Sequence, residues 1–239
     1  MTLLALETAT EACSVALLSV SADGRHTLIA RRRHAPRQQT ELILPMVDEV
    51  LAEAGLALTD LDALAYSRGP GAFTGVRIAA AVTQGLALGS DLPVIAVSSL
   101  QALAQGAARR EGARAVLACL DARMQEVYAG AFAQDADGIM QPLSAEVACR
   151  PEAVPPGLMT AWAGVAGEGS AGMGSGWATY GELLAASLPV ARRFGEFEPD
   201  AEDVALLALP SLRAGQALAP ELALPVYLRD DVWKKLPGR

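Results

Sequence analysis

Aromatic residues are scarce in this chain of 239 residues: Phe, Trp and Tyr make up 5%, although hydrophobic residues of all kinds reach 52%. Alanine and leucine must therefore fill the interior, a filling that favours closely approaching helices. Cysteine is scarce too. Cys13, Cys119 and Cys149 are an odd number without metal-type spacing, so they read as buried free thiols in a reducing compartment. The only histidines, His26 and His34, form no His-x-x-x-His pair on a helix, which removes the simplest transition-metal motif. No Gly-x-Ser-x-Gly elbow occurs, so the sequence has no recognisable hydrolase nucleophile. No run of about 18 apolar residues suggests a membrane span. The opening MTLLALETATEACSVALLSV lacks a basic region and carries Glu7 and Glu11 inside its apolar stretch, unlike a secretory signal. A cytoplasmic protein without membrane contact is expected. Positive charge is also short. At a formal net charge of −8, with Arg31-Arg32-Arg33 as its one basic run, the isolated chain should bind nucleic acid poorly.

What is present reads as an α/β pattern. Leu3–Glu7 and Cys13–Val20 are short apolar strands, Asp23-Gly24 is a turn signal, and Thr27–Arg33 can pair back as a third strand. Thr40 is a candidate N-cap for a helix running to Ala54 and ending at Gly55, with Pro45 early in it as a point of shift or kink. A strand at Ala63–Tyr66, a glycine-rich loop, a helix over Gly75–Gly89, a strand at Val94–Val97 and a helix over Ser99–Arg109 follow. Then the opening layout recurs. LALETATEACSVAL and LACLDARMQEVYAG both give an apolar strand, an acid, six intervening residues and another strand, with Glu7 and Asp121 as the acids. Two lobes are expected, 1–112 and 113–239, each a mixed sheet that opens with an antiparallel β-meander and is packed with helices. Further along come a glycine-rich stretch at Gly164–Gly176 and helices around Tyr180–Ser187 and Ala201–Arg213. The last of these, or the tail after it, can pack back on the first lobe.

The sharpest motif is Ser67-Arg68-Gly69-Pro70-Gly71-Ala72-Phe73-Thr74-Gly75-Val76-Arg77. It follows a strand and enters a helix, where backbone N–H groups can cradle an anion. It is neither a Walker A loop nor the dinucleotide fingerprint, since Gly69, Gly71 and Gly75 are spaced one residue too widely. The plainer reading is a tight turn and helix cap, with Thr74 capping and the glycines permitting unusual backbone. Arg77 near the helix start opposes the macrodipole, so an anionic partner is expected for it, either a carboxylate or a ligand.

Taken with LETAT near the start, SRGPGAFTGVRIA resembles the signature of the TsaB (YeaZ) family. LPMVDEVL, VSSLQALA, LDARMQEVYAGAF and PVYLRDDVW extend the resemblance over nearly the whole chain. It implies two actin-like lobes of the actin/sugar-kinase/chaperone (ASKHA) type and a non-catalytic role. By this resemblance the chain pairs with a related catalytic subunit (TsaD). With a small ATPase (TsaE), the pair supports threonylcarbamoyl transfer to the tRNA adenosine just 3′ of the anticodon. Glu7 and Asp121 stand at the superfamily's metal–phosphate positions, but Glu7-Thr8-Ala9-Thr10 lacks the glycine that lets backbone approach phosphate. No cofactor is firmly implied, and weak ATP or ADP with Mg²⁺ at a complex interface is the residual expectation. A stand-alone degenerate ATPase and a self-associating homodimeric scaffold are the alternative readings.

Helix faces suggest where a partner would sit. In Glu41–Ala54 the apolar residues Met46, Val50, Ile43, Val47, Leu51 and Leu44 cover an arc of about 160°, wider than the roughly 100° of a single core contact. Gly75–Gly89 is apolar nearly all round and rich in small residues, with Ala79 and Ala81 on different sides. The expected partner interface therefore comprises Met46, Val47, Val50, Ala79, Ala81, Val82 and Gly85, and the alternative for the second helix is a central core position. The Arg68, Gly69, Gly71, Thr74, Gly75 and Arg77 loop is the expected anion or partner contact.

Overall fold

The computed structural model describes residues 1–229. The last four residues of the PVYLRDDVW match, Asp230 to Trp233, thus lie outside the described residues. The first sheet has the order β3-β2-β1-β4-β5, formed by β1 (Thr2–Glu7), β2 (Ala12–Val20), β3 (His26–His34), β4 (Ala63–Ser67) and β5 (Val94–Val97). β1 runs antiparallel to β2, with Glu7 opposite Ser14, and parallel to β4, with Leu6 opposite Tyr66. Alternation sends Leu4 and Leu6 into one core and Leu3 and Ala5 into another, so β1 is apolar on both faces.

The second sheet repeats this plan. Its order is β11-β10-β6-β7-β8, from β6 (Ala115–Arg123), β7 (Glu126–Gln134), β8 (Met140–Pro142), β10 (Ser170–Met173) and β11 (Arg192–Phe194), with β9 (Val147–Cys149) also paired to β7. Antiparallel partners stand on one side of β6 and parallel partners on the other, as around β1. The sequence repeat is therefore a structural one, and the chain has two actin-like lobes.

The helices complete five layers. α1 (Gln39–Ala54) and α2 (Phe73–Ser90) cover the outer face of the first sheet, and α4 (Pro156–Ala163) and α5 (Ser175–Ser187) cover that of the second. Between the sheets lie α3 (Ser99–Glu111) and α6 (Ala201–Arg213), in contact with each other. They are exchanged: α3 packs on the second sheet and α6 on the first. Ala104, Ala107, Ala201, Ala205 and Ala208 line these inner faces, which is where the alanine content is used. Asp203 of α6, fully buried, accepts from Arg109 Nε at 3.0 Å and from Arg110 Nη2 at 3.2 Å and so pins the two inner helices together. Burial still pushes its carboxyl up to about 6 against the pull of both arginines.

Several local expectations are corrected. α1 starts at Gln39, so Thr40 lies inside the first turn, and Gln38 at the cap makes no side-chain bond. Gln39 instead ties the helix start down by donating from Nε2 to the Thr10 carbonyl at 2.9 Å. Pro45 sits on the exposed side and the helix continues through it to a left-handed Gly55. α2 starts at Phe73 after Ala72, which makes Thr74 an exposed second helical residue with no capping bond. α5 begins at Ser175, five residues before Tyr180, and is kinked at Tyr180 (φ −126°, ψ 21°), which separates a short first turn from the expected helix.

Candidate functional site

The strand ends of both lobes converge on loops carrying the residues singled out above. Glu7 closes β1 and is wholly buried. Its Oε1 accepts the Ala9 N–H, and Oε2 has no well-formed hydrogen bond among the described residues. Burial is the largest influence on this carboxyl and pushes it up to about 7. The neighbouring Ser67 hydroxyl and the Ala9 N–H oppose that rise, and Asp200 and Glu198 add to it. Ser67 is itself bonded to Ser99 at 2.5 Å. Asp121 holds the equivalent place on β6. Its Oδ1 accepts the Arg123 N–H at 2.8 Å, and its own N–H donates to Ser175 Oγ at 3.0 Å.

The glycine loop is filled from within. A Cβ on Gly71 would lie 2.5 Å from the Ala9 carbonyl oxygen, and one on Gly75 would lie 2.0 Å from that of Thr8. The Ala72 N–H donates to the Ala9 oxygen at 2.7 Å, and Thr8 Oγ1 donates to the Gly75 oxygen at 2.8 Å. Backbone 8–9 thus takes the space that an anion cradle needs. Gly69, at φ +97°, precedes a cis Pro70 and turns the chain into this contact. The second lobe repeats the device, since a Cβ on Gly174 would meet the Cys119 oxygen at 2.5 Å. These residues do not fit a metal–phosphate group: the Glu7 carboxyl is wholly buried, with burial raising its pKa, and the loop lacks free room.

Arg77 corrects another expectation. Because α2 begins at Phe73, Arg77 lies in its second turn, where the macrodipole acts less. Its companions are rings. The guanidinium stands 3.2 Å from the Phe73 ring centroid and 4.7 Å from that of Tyr227, and Nη1 donates to the Phe73 carbonyl at 2.9 Å. No carboxylate pairs with it among the described residues. The PVYLRDDVW match and the expected return of the tail to the first lobe pointed to this segment, but not to Tyr227 as the ring beside Arg77.

The structure divides the expected partner-interface residues. Met46, Val47, Val50 and Ala79 are buried in the first lobe's own core, so their side chains do not reach the surface. The wide arc of α1 is used up by its contacts with β2, β3 and α2, leaving Leu44 exposed. Ala81 and Gly85 are exposed and Val82 is half-buried. Thr74, Ile78, Ala81, Gly85 and Leu88 follow steps of four and three residues, the spacing of a coiled-coil seam. Leu88 is 63% exposed. A Cβ on Gly85 or on Gly89 would meet nothing within 4 Å, so no packing inside this chain calls for glycine at either place.

The family described as TsaD, tRNA N6-adenosine threonylcarbamoyltransferase, matches residues 28–231. The tRNA threonylcarbamoyladenosine biosynthesis protein TsaB of Escherichia coli K12 is 46% identical over 240 residues, covering all of both chains. The chain belongs to the TsaD family, and within it to the TsaB (YeaZ) proteins. The TsaB protein of Haemophilus influenzae is 41% identical over 256 residues, covering 100% of this chain and 98% of its own. A solved structure of YeaZ from Pseudomonas aeruginosa superposes with a TM-score of 0.84 at 43% identity, covering 95% of this chain and 99% of that one. Among the described residues, no helix is long and apolar enough to cross a membrane.

Proposed function

We propose that this chain is a non-catalytic subunit of tRNA N6-threonylcarbamoyladenosine formation, at the adenosine 3′-adjacent to the anticodon. It binds and activates a TsaD-type catalytic subunit through the exposed side of α2. The names of its full-length relatives and the match to the TsaD family support this reading. The observation that carries it is the uncovered seam of α2. Glycine inside a helix costs about 1 kcal/mol relative to alanine. At Gly85 the chain bears that cost with open space above the Cα, which makes sense if a second helix approaches there.

A subunit of the same fold can offer an equivalent helix, so the contact is quasi-symmetric, and two copies of this chain can use the same seam as a homodimer when the partner is absent. A TsaE-type ATPase completes the set. The net charge of −8 leaves tRNA contact to the other subunits.

Two arginine substitutions test the assignment. Ala81→Arg should leave the melting temperature near that of the parent, yet abolish capture of the TsaD-type subunit and tRNA modification in a reconstituted reaction. Ala79→Arg, which forces an unpaired charge into the core, should unfold the chain. Undiminished capture by Ala81→Arg would remove α2 from the interface.

A further inference from the structure

Among the described residues, the chain after α6 contains a single 3-10 turn, at Pro220–Leu222, yet it is fastened at several points up to Arg229. Leu218 and Val94 exchange two backbone bonds, at 2.9 and 2.7 Å, at the edge of the first sheet. Tyr66 donates its hydroxyl to the Leu224 carbonyl at 3.0 Å, and the Val226 N–H donates to the Arg68 carbonyl at 2.8 Å. Tyr227 then joins the stack on Arg77 and Phe73 at the start of α2. All of these anchors belong to the first lobe.

Arg229 does not. It reaches the β6–β7 hairpin of the second lobe, where Nη2 lies 2.5 Å from Glu126 Oε2 and donates to the Arg123 carbonyl at 3.0 Å. Its guanidinium also stands 5.7 Å from the centroid of the Tyr128 ring. The hairpin it holds is unusual. Arg123, Met124 and Gln125 all have positive φ, at 63°, 55° and 63°, a conformation that costs a non-glycine residue about 1–2 kcal/mol each. Such a turn persists where its surroundings restrain it, and Arg229 on the Arg123 carbonyl is one restraint. Val226 lies beside the end of β4 and Arg229 beside the end of β6, so the segment links the strand ends next to Glu7 and Asp121. Among the described residues other ties also join the lobes, a central one at Asp203 with Arg109 and Arg110 and one from Ser98 to Glu146.

We propose that residues 218–229 form a latch across the two lobes. Release of Arg229 from Glu126 and the Arg123 carbonyl frees the second lobe to rotate about the α3–α6 contact, while α1 and α2 keep their place on the first sheet. The latch is a property of the isolated chain and does not depend on which partner α2 meets.

Hydrogen exchange on the full chain tests it, with Arg229→Ala, Glu126→Gln and Arg229→Lys compared with the parent. The first two should each raise amide exchange about tenfold in 121–128 and 224–229, leaving β1, β2 and α1 unchanged. Arg229→Lys keeps the ion pair and should recover part of the protection. Spin labels on Ala52→Cys in α1 and Leu183→Cys in α5, both exposed positions, supply a second readout. Their distance distribution should broaden in Arg229→Ala and stay narrow in the parent. Unchanged hairpin exchange with an unchanged distribution would overturn the proposal. So would a uniform rise in exchange over the whole chain, because Arg229 would then add only general stability.

Discussion

Replacing Glu7 by glutamine is expected to stabilise the chain by about 3 kcal/mol at pH 8 and by less than about 1 kcal/mol at pH 5. The unfolded carboxyl ionises near 4.5 and the folded one near 7. Between those values the folded chain holds a proton that the unfolded chain has lost. Stability therefore falls as pH rises through this window and levels off above it. Glutamine does not ionise, so the variant should lose this part of the fall and keep only the smaller one that Asp203 causes below about pH 6. Its amide oxygen can accept the Ala9 N–H, and its NH₂ can face Ser67. Urea unfolding of both proteins from pH 5 to pH 8 measures the difference. Parallel pH profiles, or a less stable variant at pH 8, would mean that Glu7 is held as a carboxylate after all.

Gly75→Ala should cost about 3 kcal/mol, while Gly85→Ala, in the same helix, should gain up to about 1 kcal/mol. At Gly75 the added methyl meets only backbone: the Thr8 oxygen at 2.0 Å, the Thr8 carbonyl carbon at 3.1 Å and the Ala9 Cα at 3.3 Å. No side chain can rotate away, so either the β1–β2 turn or α2 must shift, and the Thr8–Gly75 bond is lost with it. At Gly85 the methyl enters open space and removes a flexible residue from a helix. Denaturation midpoints of the two variants should move in opposite directions. Equal shifts would show that the close approach at Thr8 is not what fixes Gly75.

The duplicated plan was legible because β1 and β6 are apolar on both faces and each carries an acid at or near its end, Glu7 and Asp121, a pattern that survives in local sequence. α2 was legible as a helix for its continuous apolar character. The role of its leading loop was not. Glycine serves equally for close approach by phosphate or by backbone, and the occupant, Thr8–Ala9, lies on a different strand end. The ring pair around Arg77 was hidden for a similar reason, since Tyr227 is distant in sequence and only the fold brings it alongside. The apolar arc of α1 misled differently. Its width reflects contact with two strands and a neighbouring helix, so width by itself does not separate core from interface. In α5 the kink at Tyr180 sets off Ser175–Thr179 as a separate short helical piece, too short to show a periodicity of its own.

The exchange of α3 and α6 between the sheets sets an order on biosynthesis. The last strand of the first sheet ends at Val97, yet the helix that covers its inner face begins at Ala201, after the entire second sheet. On the ribosome, Leu3, Ala5, Leu18, Ile95 and Val97 therefore lack their permanent cover until α6 emerges. A fragment ending near residue 112 would keep that face bare and carry α3 without the sheet it packs on. The two halves are duplicates in plan, but neither is a unit that can be cut out and expected to fold.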